Sequence, residues 1–472
     1  MNKCVLGIDL GTSSVKIVKK YRDGHIKKLK NTYEEPLPLG WWNSIFELLS
    51  QIKWSEVSAI GLSSQVGTYL VNDKEVIGWN SNAGKEEVKW WKEHYPQERF
   101  LEEISMPHPD IISYPLPRLK YIKEHFETID RVCQPKEYIL EKLTGEWVTD
   151  PYSWRGLANL ATGKYSKFFL KELSLEEERL PSIRKMDEVA GCTKEITFEN
   201  SILPSGIPVY TGLNDYYAGL LGMGIGKIGQ MFDVTGTSEH LGVLLNETAM
   251  NTLLVSGPYI EHAVHYGVTA SSGPSIKYGL RLMREHALDS NGMIRKKSAE
   301  FDLDKMVQTK PPIFLPYVKG ERAPIWNADA RGVFFGVEEG CTTEQMAYSV
   351  MEGVVFSLYH IYETMGEPRI NQITVSGGAA EIACLNELKA EVFEVPIEIV
   401  EESDVSGLGA CMVAAVGSGW YQDYQQIALE WVKTSKKIVP TKKYREWFKK
   451  RFEIYKELYL NVEPLFEKWK ML

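Results

Sequence analysis

Two rhythms of apolar and polar positions run along the chain, and each predicts its own kind of element. Cys4 to Ile8 is a short apolar run with β-branched members that stops at Asp9. After a bend at 11–14, Val15, Ile17 and Val18 resume an extended pattern, so the segment predicts a β-hairpin. Ala59 to Val71 (AIGLSSQVGTYLV) predicts a strand running into a loop. Ile207 to Thr211 predicts a strand that leads through GLNDYYAGLLG into the opening of a helix. The clearest helical rhythm covers 342 to about 366. There Thr342 and Gln345 have capping-box spacing, and Met346, Val350, Val354, Leu358 and Ile361 recur on one face. QITVSGGAAE predicts a buried strand entering a glycine turn, and the small residues from Gly407 to Gly417 predict a closely packed helix. The C-terminal stretch from Tyr444 interleaves aromatics, acids and bases at helical spacing, which predicts an amphipathic closing helix rather than a basic nucleic-acid surface.

Length adds that one core is not enough: 472 residues predict two domains. Charge removes two partner classes. With 54 basic and 63 acidic residues the net charge is −9, which argues against nucleic acid and against an anionic membrane surface. No apolar run reaches the roughly 18 residues that a span requires, and the N-terminal run is broken at once by Asp9. Cys4, Cys133, Cys192, Cys341, Cys384 and Cys411 are widely spaced without a CxxC pair, which predicts reduced thiols in a cytoplasmic protein.

One local pattern occurs twice. In VLGIDLGTSS and again in QMFDVTGTSE, an apolar run ends in an aspartate and a Gly-Thr-Ser turn follows. Gly11 permits the bend, and Thr12, Ser13 and Ser14 gather hydroxyls and backbone N–H groups into it. Successive N–H groups in a bend form a concavity for an anion, and a phosphate chain fits one. Asp9 at the strand end suits a divalent cation held through water, because Mg²⁺ keeps several waters beside its carboxylates and phosphates. Asp9 and Ser13 can equally serve the turn's own backbone groups. The repeat at Asp233, Gly236, Thr237 and Ser238 favours a duplicated architecture whose halves each offer a hairpin to one nucleotide.

The order of five segments carries a resemblance. GIDLGTSS, TGLNDYYAGLLGMG, DVTGTSE, FLPYVKGERAPIWNADARGVFFGV and ITVSGGAAEIACLNELKAEVF, continuing to GLGACMVAAVG, resemble in turn the marker segments of the FGGY carbohydrate kinases, over about residues 3 to 420. The resemblance implies an α/β fold of two actin-like, ribonuclease H-like domains with a central cleft. It implies an N-terminal domain over 1–245 that binds sugar and carries the catalytic base, and a C-terminal domain over 246–472 that binds nucleotide. It further implies ATP and Mg²⁺ as cofactors. Asp215 matches the family's Gly-x-x-Asp base, although by position alone it is also a helix N-cap. Gly11, Thr12, Ser13, Gly236 and Thr237 fall on the phosphate turns, and Asp9 on the metal side. Gly377, Gly378, Ala379 and Asn386 fall on the adenine and ribose site. Ser271 to Gly273 is a weaker nucleotide-side candidate, and Glu321 with Arg322 is read as a structural pair.

The sugar side departs from the family. Gln65 is the polar candidate after the strand, but Val66-Gly67 stands where xylulose- and gluconate-phosphorylating relatives have Met-His. Trp79 remains from a Trp-x-Asp-x-Arg pattern whose charges are gone, and the stretch after Thr149-Asp150 is shortened around Trp154 and Arg155. His108, between two prolines, and Trp79, as a stacking face, complete the sugar candidates. The expected acceptor is a small ketose, either a ketopentose such as xylulose or a 6-deoxyketohexose such as fuculose, with a sugar acid or polyol as the alternative. A homodimer through the second domain is compatible with this reading. A chaperone-like or filament-forming ATPase would use the same two elbows, but Asp215 and the GERAPIW block oppose it.

Overall fold

The computed structural model describes residues 3–33, 37–106, 111–198, 201–236, 238–249, 251, 253–282 and 301–472. Two compact units are present. One comprises Met1–Gly226, Gly257–Glu261 and Asp404–Val432, and the other Lys227–Ser256, His262–Ser403 and Lys433–Leu472. Against the expected division at 245, the break follows Gly226, and a late segment returns to the first unit.

In the first unit, β1 (Cys4–Leu10), β2 (Ser14–Tyr21) and β3 (Ile26–Thr32) form an antiparallel meander, and β4 (Val57–Ser64) lies parallel to β1 on its other side. Pro208–Tyr210 continues the sheet parallel to β4, and Val189–Cys192 closes it antiparallel. Every residue of β1 is buried, as a strand covered on both faces requires. Leu6, Ile8 and Leu10 join one core with Trp41 and Ile45. On the opposite face the small-residue helix Val405–Gly417 presses directly on the sheet. A Cβ on Gly7 would stand 2.1 Å from the Gly407 carbonyl oxygen, and one on Gly61 2.0 Å from that of Ala410. This seat explains why a segment so late in the chain belongs to the first unit. Between β4 and Pro208–Tyr210, the chain builds a separate apolar cluster around Trp91, Phe100, Trp154 and Phe169.

The second unit repeats the topology. Met231–Thr235, Glu239–Leu245 and His262–Thr269 form the antiparallel meander. Ile373–Gly377 lies parallel to Met231–Thr235, Ile397–Val400 continues in parallel, and Thr434–Ile438 closes antiparallel. The expected helix is present at Thr343–Thr364 with both capping-box bonds formed, and its apolar face enters the unit's core with the C-terminal helix Arg445–Lys470. The doubling expected from the two elbows is thus a doubling of whole sheets.

Candidate active site

Asp215 is delivered by a glycine turn that no other residue can make. Gly212 has φ +73°, and a Cβ there would meet the Leu62 carbonyl oxygen at 2.0 Å. Leu213 and Asn214 then pair with Ser63 and Ser64 at the end of β4, and the helix Asp215–Gly222 begins. Its N-cap is Asn214, whose side chain accepts the Tyr217 N–H at 3.0 Å and donates to the Tyr152 carbonyl at 2.9 Å. The capping role that the sequence left open for Asp215 therefore belongs to its neighbour. The half-buried Asp215 carboxyl accepts the Tyr216 N–H at 2.9 Å. Burial, and after it the nearby Asp9 carboxylate, pushes it up to about 7. The approach to the turn is fixed from behind: buried Lys136 donates to the Thr211 carbonyl at 2.9 Å and pairs with buried Asp150 at 2.9 Å.

Asp9 lies beside Lys16 on β2 and Ser63 on β4. Its two oxygens accept the hydroxyls of Ser63 at 3.0 Å and Ser406 at 2.7 Å. Burial raises its pKa against these hydroxyls and Lys16. The Lys16 ammonium is itself engaged by Asp404 at 2.6 Å, which also holds Lys28 at 3.0 Å. Asp9 thus raises the proton affinity of Asp215, while Lys16, opposite Asp9 on β2, is committed to a third carboxylate. Hard oxygen donors in that state fit a divalent ion such as Mg²⁺.

The Gly11–Ser13 turn is shaped through its carbonyls. Gly11 N–H donates to the Ser14 carbonyl at 2.9 Å and Tyr33 N–H to that of Ser13 at 3.3 Å, while the Tyr33 hydroxyl donates to the Gly11 carbonyl. Among the described residues, the amides of Thr12 and Ser13 have no hydrogen-bond partner, and both residues are exposed. That is the arrangement an anion-binding bend needs.

The second unit's elbow has the same path and different chemistry. Asp233 is fully buried and bonded to the Lys389 ammonium at 2.5 Å, which also takes buried Glu239 at 2.6 Å. Burial first, and then the neighbouring Glu239, raise Asp233 well above the carboxylate range, against the pull of Lys389. Asp233 is therefore a core anchor and does not repeat Asp9. Gly236 is exposed at the turn, and Thr237 lies outside the described residues. Gly377, with φ +102°, would place a Cβ 2.0 Å from the Thr235 carbonyl oxygen, whereas a Cβ on exposed Gly378 would face open space. Ala379 N–H donates to the Thr235 hydroxyl at 2.9 Å, joining this glycine turn to the elbow. Asn386 is buried and donates to the carbonyls of Ala380 at 2.7 Å and Ile382 at 3.1 Å, holding the turn's exit.

Of the sugar candidates, Gln65 is buried at the end of β4, with its backbone N–H on the Leu10 carbonyl at 2.8 Å. Its side-chain oxygen accepts the Thr68 hydroxyl at 3.4 Å. Trp79 is exposed, and its indole N–H donates to the Thr12 hydroxyl at 3.1 Å. His108 lies outside the described residues. Glu321 meets Arg322 through the latter's backbone N–H, not through the expected side-chain pair. Its buried carboxyl accepts the Thr269 hydroxyl and the Ala270 and Arg322 amides, and it fixes the loop leading to Ser271.

Sequence reasoning missed Ser63, Ser406, Asn214, Lys136 and Lys389. No local pattern marks the last two: Lys136 stands beside Glu137 and Lys389 near Glu387 and Glu391, as surface lysines do, and only their burial against carboxylates sets them apart. Ser406 meets Asp9 from a segment almost 400 positions away, at a separation of 397 in sequence.

Family models match both halves: the N-terminal domain of the FGGY family of carbohydrate kinases over residues 4–222 and its C-terminal domain over 232–418. A xylulose kinase of Staphylococcus xylosus is 26% identical over 490 residues, covering 96% of this chain and 99% of that protein. Crystal structures of a gluconate kinase and of a ligand-bound xylulose kinase, both from Lactobacillus acidophilus, each superpose with TM-score 0.82 at 24% identity, covering 99% of this chain and 100% of theirs.

Proposed function

The chain belongs to the FGGY family of carbohydrate kinases, and from that premise we propose that it transfers the γ-phosphoryl group of ATP to a hydroxyl of a ketopentose such as xylulose, with Asp215 as general base. The observation that carries the assignment of the base is the state of Asp215. It is relieved of capping by Asn214, rigid at the first position of a helix, and raised to about 7, close to the pH at which a base must both hold and release a proton. Asp215 takes the proton of the attacking hydroxyl as its oxygen reaches the phosphorus. Phosphoryl transfer asks the protein mainly for alignment and charge neutralisation.

Asp9 would hold Mg²⁺ through water, with Ser63 and Ser406 orienting its two oxygens; the bound ion would supply neutralisation of the phosphate charge. In the first unit the amides of Thr12 and Ser13 are the groups suited to a phosphate of the nucleotide, and in the second unit Gly236 and the Gly377–Ala379 turn, with Asn386 behind it, are the nucleotide-binding candidates. Gln65 is the sugar contact best supported by position: it adjoins Ser64, which pairs with Asn214, and its amide nitrogen donates to no described residue. Fuculose-like 6-deoxyketohexoses, aldonates and polyols are the other acceptors to compare. The six cysteines form no disulfide, which is in keeping with a reducing, cytoplasmic setting, and among the described residues no helix is long and apolar enough to cross a membrane.

The test is ADP release by the purified protein with ATP and Mg²⁺ against a panel of ketoses, polyols and aldonates. Turnover that depends on a ketopentose, with an aldonate or glycerol much poorer, is the expected result. Turnover confined to an aldonate or polyol overturns the choice of acceptor.

A further inference from the structure

Trp79 is held with unusual care for an exposed side chain. Its backbone N–H donates to the Thr68 hydroxyl at 3.1 Å, and that hydroxyl faces Gln65. The loop around it is clamped by Arg118, which is fully buried and donates from Nη2 to the carbonyls of Gly78 at 2.9 Å, Trp79 at 3.2 Å and Ser81 at 3.1 Å. One nitrogen of a desolvated guanidinium, its two N–H groups shared among three loop carbonyls, ties the loop to a buried anchor. The indole at its tip reaches Thr12, in the turn whose Thr12 and Ser13 amides have no partner among the described residues.

We propose that Trp79 is a positioning residue which, through its indole N–H on the Thr12 hydroxyl, fixes that hydroxyl as a hydrogen-bond donor to the terminal phosphate of ATP. This rests on reading the Gly11–Ser13 turn as a phosphate site. The argument is one of valence. An indole nitrogen only donates, so the 3.1 Å contact must occupy a lone pair of the threonine oxygen. The threonine proton is then the group left to bond outward, and accepting one hydrogen bond strengthens the oxygen as a donor in the next. Together with the two unpartnered amides, it makes three donors in one bend. Because the loop that carries Trp79 also orients Thr68 beside Gln65, the acceptor side and the phosphate turn are built on one rigid piece. A tryptophan there need not be a stacking face for the sugar at all.

The experiment compares the wild type with Trp79→Phe, Thr12→Val, the double variant and Thr12→Ser. Turnover is measured with ATP and D-xylulose, and MgATP and MgADP dissociation constants by calorimetry. Phenylalanine keeps an aromatic ring and removes the N–H. Losing one oriented hydrogen bond is expected to lower kcat, and to weaken MgATP but not MgADP, by about three- to tenfold. The acceptor KM should stay unchanged, the double variant should be no worse than Thr12→Val, and Thr12→Ser should be close to wild type. The two calorimetric arms decide the matter even if D-xylulose is not turned over. Multiplicative losses in the double variant overturn the proposal, as does a Trp79→Phe variant that raises the acceptor KM while kcat is untouched. A Thr12→Val variant with full kcat and full MgATP affinity removes the phosphate reading itself, which separates the two failures.

Discussion

Replacing Asp215 by asparagine should make the protein both inactive and more stable, and the stability gain should depend on pH. In the folded chain the carboxyl is raised from 3.8 to about 7, by burial first and Asp9 second. The folded state therefore binds this proton more tightly than the unfolded state does. Stability from this group is fully present below pH 3.8 and is lost as pH rises through about 7. At about 1.4 kcal/mol for each tenfold change in proton affinity, the shift amounts to about 4 kcal/mol withheld from the metal-free protein above neutrality. The neutral amide of the variant would carry no such cost, and since Asn214 already caps the helix, the substitution removes no cap. Urea unfolding of wild type and Asp215→Asn without Mg²⁺ should show the variant more stable at pH 8 by up to about 4 kcal/mol, with the difference vanishing near pH 4. Its kcat should fall by about two to four orders of magnitude, the usual contribution of a general base. In the wild type, kcat/KM should rise with pH up to the base's pKa. Equal stability of the two proteins at pH 8, or near-normal turnover by the variant, would refute the reasoning.

Four further expectations follow from named contacts. Asp9→Asn should raise the Mg²⁺ concentration needed for half-maximal activity and should lower the pKa seen in the pH–rate profile, because the second cause of the Asp215 shift is gone; a metal titration and a pH profile check both. Chelation by EDTA should abolish turnover reversibly, with added Mg²⁺ restoring it. Lys389→Met leaves Asp233 and Glu239 buried without their cation and should cost about 3–5 kcal/mol of unfolding free energy, measured in urea. Gly212→Ala combines left-handed backbone strain of about 1–2 kcal/mol with a carbonyl contact at 2.0 Å, and should lower both the melting temperature and kcat because the same turn sets Asp215.

The linear pattern by itself determined the elements and their duplication. The run that ends at Asp9, the strand and turn that lead to Asp215, and the helix capped by Thr342 and Gln345 are local facts, set by periodicity and turn chemistry within a few residues, and the structure has them where the pattern put them. The matching of two elbows likewise pointed to matching sheets. What a linear pattern cannot carry is the environment of a polar side chain, because that depends on groups distant in the chain. Asp9 and Asp233 end similar strands before similar turns, yet the first is met by the hydroxyls of Ser63 and Ser406, while Lys389 and Glu239 lock the second into a core. The choice of cap between Asn214 and Asp215, and the seat of Val405–Gly417 against Gly7 and Gly61, were decided in the same way. Local propensity selects strands and turns; only packing at ångström range decides which carboxylate is free to do chemistry.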